Sequence, residues 1–156
     1  MQSFPEVLAM VSQKGRMSMN HYHVLANSPE EEVCRLASAV LEHYEQSQVK
    51  LLSGPQQGLV MLRVRETVAN SLFNAGEVLV TEVKLELDDQ FGFGMIIGDS
   101  QRHAMGIALV DAALRKGGDV ADWLTQELIN LDAQIMEKNR KELALVASTK
   151  VEFERM

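Results

Sequence analysis

The chain has 156 residues, 46% of them apolar and 24% charged, with a formal net charge of −7. That length suffices for one domain with its own core, and the negative balance without a Lys/Arg cluster speaks against a nucleic-acid partner. Cys34, the single cysteine, excludes an internal disulfide and a cysteine metal cage.

At the N-terminus, MQSFPEVLAMVSQKG has no basic residue before Lys14 and no long apolar segment, a poor secretory signal. No apolar run approaches the roughly 20 residues of a membrane span. The expected location is the cytoplasm, with no membrane partner. Phe4, Val7, Leu8 and Val11 recur with helical spacing, and Pro5 suits a first turn. Gly15 closes this stretch. From Arg16 to Ala26 a second helix is expected, with Met19, Tyr22, His23 and Ala26 on one side. Asn27-Ser28-Pro29 followed by Glu30, Glu31 and Glu32 is a start signal for the next helix, whose stripe is Val33, Leu36, Ala37, Val40, Leu41 and Tyr44.

After the short run Val49–Leu52, Gly54-Pro55-Gln56-Gln57-Gly58 reads as a turn. Three strands follow. The first places Val60, Leu62 and Val64 on one face and Leu59, Met61, Arg63 and Arg65 on the other. The second alternates Leu79, Thr81, Val83, Leu85 and Leu87 with Val78, Val80, Glu82, Lys84 and Glu86. Asp88-Asp89 turns it into the third, where Phe91, Phe93, Met95 and Ile97 oppose Gly92, Gly94, Ile96 and Gly98. One sheet face is then core. The other is expected to mix Leu59, Met61, Val78, Val80 and Ile96 with charge and bare glycine backbone, a pattern that marks a contact surface.

Asp99 or Ser100 caps a helix that is apolar almost all round, from Ala104 to Leu114, so that helix is expected to be enclosed on several sides. Gly117-Gly118 ends it. The last helix carries the stripe Val120, Leu124, Leu128, Leu131 and Ile135, which fades across residues 137–142. Beyond it the tail alternates, with Val151 and Phe153 on one side. A helical arm reaching a neighbour and a frayed chain end are both consistent with this.

Candidate chemistry is thin. His21 and His23, two apart on a helix, diverge and make a poor metal pair. Asp99 and His103, four apart across a helix start, could form an acid–base dyad, although a capping Asp beside a structural imidazole is the more ordinary explanation. Asp111, in the most apolar helix, needs an answering Arg or hydrogen bonds. The glycines of Gly92-x-Gly94-xxx-Gly98 fall within a strand rather than in the turn of a dinucleotide loop, and more naturally admit a close backbone or helix. No nucleophile elbow, zinc-protease motif or P-loop occurs.

The ordered blocks Gly58-Leu-Val-Met, Phe73-Asn-Ala-Gly-Glu-Val-Leu-Val-Thr-Glu82, Gly92-x-Gly94, Gly98-Asp99, Asp111-Ala-Ala113 and Ala147-Ser-Thr-Lys-Val-Glu-Phe153 resemble the PhnG family, the G subunit of the carbon–phosphorus lyase core complex. The resemblance runs from about Arg16 to Phe153 and leaves residues 1–15 as an N-terminal extension to a single domain, 16–156. It implies partnership with the H, I and J subunits, with two copies of the chain per assembly. It further implies a requirement, alongside the I, H and L proteins, in forming alpha-D-ribose 1-methylphosphonate 5-triphosphate from MgATP and methylphosphonate. MgATP would be a substrate of the complex, and no cofactor is expected on this chain. No catalytic residue transfers with the resemblance. The expected fold is α+β, an antiparallel sheet of three to four strands packed on one face by helices, with a C-terminal helical arm. The expected interface comprises Met61, Arg63, Val80, Glu82, Gly92, Gly94, Asp111, Val151 and Phe153. Two alternatives stay open: a stand-alone small-molecule enzyme using Asp99 and His103, and a homodimeric binding protein.

Overall fold

A computed structural model describes residues 20–149. In chain order these form α1 (His21–Asn27), α2 (Glu30–Leu41), a single 3-10 turn, β1 (Val49–Arg65), β2 (Leu72–Leu87), β3 (Gln90–Ile97), α3 (Gln101–Lys116) and α4 (Asp119–Ser148). The three strands make one antiparallel sheet in the order β1-β2-β3. The fold is α+β, as expected.

α3 is the middle layer. It lies along β2 and β3 on one side and meets α2 and α4 on the other, which explains a helix with almost no polar surface. Ala104, Ile107, Ala108, Val110, Ala112 and Ala113 are all fully buried. Ser100 caps its start by accepting the His103 amide, and Gly117 follows its end at φ 78°. Val33, Leu36, Ala37 and Val40 of α2 bury most of the expected stripe, although Leu41 at the helix end is 41% exposed. Leu124, Leu128 and Leu131 of α4 are buried, with Val120 and Ile135 half-buried beside them. Asp88 and Asp89 turn β2 into β3 with positive φ at both residues, the twist a two-residue hairpin favours.

Four local expectations need correction. In α1 the buried residues are Val24 and Leu25, not the Tyr22–His23–Ala26 side; residues 16–19 lie outside the described region. The Asn27-Ser28-Pro29 start signal supplies no side-chain cap to α2: Pro29 occupies the N-cap position instead of the first helical one, and the Ser28 hydroxyl donates to Val24 O at 2.7 Å and so closes α1. The segment from Gly54 to Gly58 is not a turn between strands but part of β1, where the register slips twice between Leu51 and Gln56. An edge strand tolerates such a bulge and its proline.

The fourth correction concerns the sheet faces. Gly92 and Gly94 pair with Leu85 and Val83, so they share the helix face with the core residues. A Cβ at Gly94 would lie 2.7 Å from Ala108 N, and one at Gly92 would lie 2.7 Å from Ala112 Cβ. Ile96 joins them opposite Thr81, leaving Phe91, Phe93, Met95 and Ile97 on the open face with Glu82, Lys84 and Glu86. β1 is inverted likewise: Val60 lies opposite Val78 on the open side, and Leu59 lies opposite Leu79 on the helix side. Bulk had suggested the phenylalanines as core, but the space belongs to the α3 backbone.

Gly94→Ala is therefore expected to destabilise the chain by about 3 kcal/mol or more, at the upper end of overpacking costs. Thermal or urea unfolding checks this. A change below about 0.5 kcal/mol would mean that α3 can back away from β3 at little cost.

Candidate docking surface and the buried carboxylate

β3 ends its pairing at Val80↔Ile97, but β1 and β2 continue together to Arg65↔Leu72. The continuation is a bare two-stranded ribbon reaching about 20 Å past the sheet. Every residue of Leu59–Arg65 and of Leu72–Glu77 is exposed. Apolar side chains occupy both of its faces, with Leu59 at 65%, Met61 at 54%, Leu72 at 56% and Phe73 at 49% exposure. An unsupported hairpin is marginal in water, so the ribbon relies on its tip. There the Glu66 carboxylate accepts the amides of Val68 at 2.7 Å and Ala69 at 2.6 Å, with further bonds from Ser71. These bonds, the Val68 amide foremost, hold its pKa below the ordinary carboxylate value.

α4 supplies a second projection. Its 30 residues make a rod about 45 Å long, and every described residue after Glu137 is exposed. Met136, Leu143, Leu145 and Val146 stand 64–70% exposed on this free half. The helix does not stop where its stripe fades. Helix-forming residues and the Arg140–Glu137 pair at 2.9 Å carry it on.

The open sheet face is mixed, as expected, but with different apolar members. Phe91, Met95 and Ile97 are 43%, 40% and 75% exposed, beside the Lys50–Glu86 pair at 2.9 Å. Glu82 sits among them, accepting from Gln56 at 2.6 Å.

Asp111 is fully buried, and its charge is answered from three elements. His21 Nε2 donates to Oδ1 at 2.8 Å, while the Phe93 amide at 2.9 Å and Arg115 Nε at 3.0 Å donate to Oδ2. Arg115 also donates to Tyr22 Oη at 3.0 Å and lies 5.9 Å above the Phe91 ring. Burial alone would raise the Asp111 pKa; the bonds from His21 and Phe93, with Tyr22 and the Arg115 charge, take it below its ordinary value instead. The Phe93 amide points off the free edge of β3, so Asp111 both ties α1 to α3 and satisfies an edge-strand donor.

Met61 and Arg63 of the expected interface thus lie on the ribbon, Glu82 on the open face, and Val80, only 5% exposed, where the ribbon leaves the sheet. Gly92, Gly94 and Asp111 are corrected to interior positions. Val151 and Phe153 lie outside the described residues. Sequence reading missed Phe73, Leu72 and the tip carboxylate Glu66, although alternation continuing past the length of β3 was a signal for an unsupported ribbon.

The dyad is not formed. Buried His103 donates through Nε2 to Leu25 O at 2.9 Å, holding α3 to α1, and no hydrogen bond joins it to exposed Asp99. His23 engages Asn27 while His21 engages Asp111, so the two imidazoles diverge. Among the described residues no three His, Cys, Asp or Glu side chains cluster as a metal site, and no helix is long and apolar enough to cross a membrane.

A family model described as phosphonate metabolism protein PhnG matches residues 18–156. The chain belongs to the PhnG family. No curated protein matches it. The PhnG match takes in every described element, including the ribbon and the free half of α4.

Asp111→Asn is expected to cost about 3 kcal/mol at neutral pH, because Arg115 and His21 lose the charge that orders them. The lowered pKa fixes the pH dependence. The stabilisation is present above the unfolded value near 3.8 and is lost as pH falls from there through the lower folded value. Urea unfolding of both proteins across pH 2–7 should show the difference shrinking below about pH 4. A constant difference would assign the effect to packing.

Proposed function

We propose that this PhnG-family chain is a structural subunit of the carbon–phosphorus lyase core complex, working with the H, I and J proteins. With the I, H and L proteins it supports formation of alpha-D-ribose 1-methylphosphonate 5-triphosphate from MgATP and methylphosphonate, by displacement of adenine. Its own contribution is to clamp partners rather than to host the reacting atoms. The reading rests above all on the ribbon Leu59–Leu79, whose two faces are both apolar and both bare. A surface of that kind is the ordinary mark of an interface. The free half of α4 adds a second such surface. In further support, the groups best suited to chemistry, His103 and Asp111, are already committed to the fold. That engagement weighs against the stand-alone enzyme.

Co-purification of the tagged chain from its native cells, with sizing and mass identification, tests this directly. The H, I and J proteins are expected in one large particle, with two copies of the chain. A lone monomer or homodimer under gentle conditions would overturn the subunit reading. Met61→Asp and Leu145→Asp sharpen the test. Each should leave the unfolding free energy of the isolated chain within about 0.5 kcal/mol, while partner recovery drops by on the order of tenfold or more. Variants that assemble normally would remove ribbon and helix from the interface.

A further inference from the structure

The sheet has several free stretches of edge, and among the described residues the fold guards all but one of them. At the outer edge of β3 the Phe93 amide is spent on Asp111. The first half of β1 slips register twice and holds Pro55, which has no N–H to offer. Where β2 runs on past β3, its extra residue Ala75 makes a bulge beside Gly76, whose φ is 153°. A bulge of that kind twists an edge away from further pairing. The remaining stretch has no such device. From Gln56 to Leu62, β1 pairs with β2 residue for residue, and because the next slip lies on the β2 side, β1 stays regular to Arg65. Alternate backbone N–H and C=O groups of this stretch point away from β2, and nothing among the described residues pairs with them.

We propose that this edge, Gln57 to Arg65, takes up an extended acidic segment of a partner subunit as a further strand of the sheet. The inference rests on the subunit reading above and names how one partner is held. Backbone donors and acceptors at strand spacing are matched by another strand, and the stretch is longer than an ordinary strand of about five or six residues. Charge sets the partner's character. β1 carries Lys50, Arg63 and Arg65 and no Asp or Glu. Lys50 pairs with Glu86 at 2.9 Å, and Arg65 donates to neutral Asn70 at the tip. Arg63 is exposed and has no ion pair among the described residues. A carboxylate opposite or diagonal to Arg63 on the added strand would answer it, within the reach at which cross-strand pairs interact. The β1 of a second copy brings no carboxylate and would set one basic strand against another, so charge favours a different polypeptide.

Residue-resolved hydrogen exchange, on the isolated full chain and on the co-purified particle, tests this. In the isolated chain the amides of Gln57–Arg65 should fall into two alternating sets, the outward one exchanging at least about tenfold faster than the one bonded to β2. In the particle the outward set should slow by about 100-fold or more, because each of its amides gains an acceptor. Arg63→Glu should lower particle recovery about tenfold, and Arg63→Lys should keep it within about threefold of the unaltered chain. A particle whose outward amides still exchange fast overturns strand addition but leaves the subunit reading standing, since the ribbon then docks by its faces. Equal recovery with Arg63→Glu and Arg63→Lys overturns the acidic partner. Slow outward exchange already present in the isolated chain overturns the proposal too. If that protection is independent of dilution, the chain itself fills the edge; if it fades on dilution, a second copy does. If no particle forms, the subunit reading and this proposal fall together.

Discussion

The close approach of α3 to β3 is the constraint on which the rest of the molecule depends. Backbone meets backbone where Gly92 and Gly94 face Ala104, Ala108 and Ala112, and only hydrogen in place of a side chain permits that spacing. Setting the central helix so close leaves room for α2 and α4 to stack on its far side. It also sends the aromatic and aliphatic bulk of β3 outward. The phenylalanines on the open face are there because glycines had to face in.

Asp111 completes that arrangement. A small three-stranded sheet has two free edges, and the β3 edge would leave the Phe93 amide without a partner. The carboxylate reaches it from α3 and, from the same position, holds His21 and Arg115. One buried charge therefore locks the short α1 against the body, and its location explains why it sits in the most apolar helix of the chain.

Periodicity made much of this readable. The stripes of α2 and α4, the enclosure of α3, the Asp88-Asp89 hairpin and the need of Asp111 for partners all follow from residue spacing. Arg115, one turn further along the same helix, was within reach of that logic. His21 and the Phe93 amide were not, since their approach depends on tertiary packing ninety and eighteen residues away in the chain. The face of β3 was misread because hydrophobicity alone favours phenylalanine over glycine in a core. The countersignal was the row of alanines at every fourth position in the following helix. Gly54-Pro55 carried the composition of a turn but forms a bulge, a choice made by the pairing of β1 with β2 and not by the local sequence. The ribbon showed itself in length: β1 and β2 are twice as long as β3.

The bare ribbon also bears on how such a chain survives before it meets anything else. Two exposed strands with unpaired outer edges and apolar side chains on both faces are a template for unwanted self-association. Molecules made in excess would be drawn into aggregates or cleared by proteolysis. If the ribbon docks as proposed, a copy lasts longest once a partner covers it, and the hairpin itself would penalise any chain made in excess.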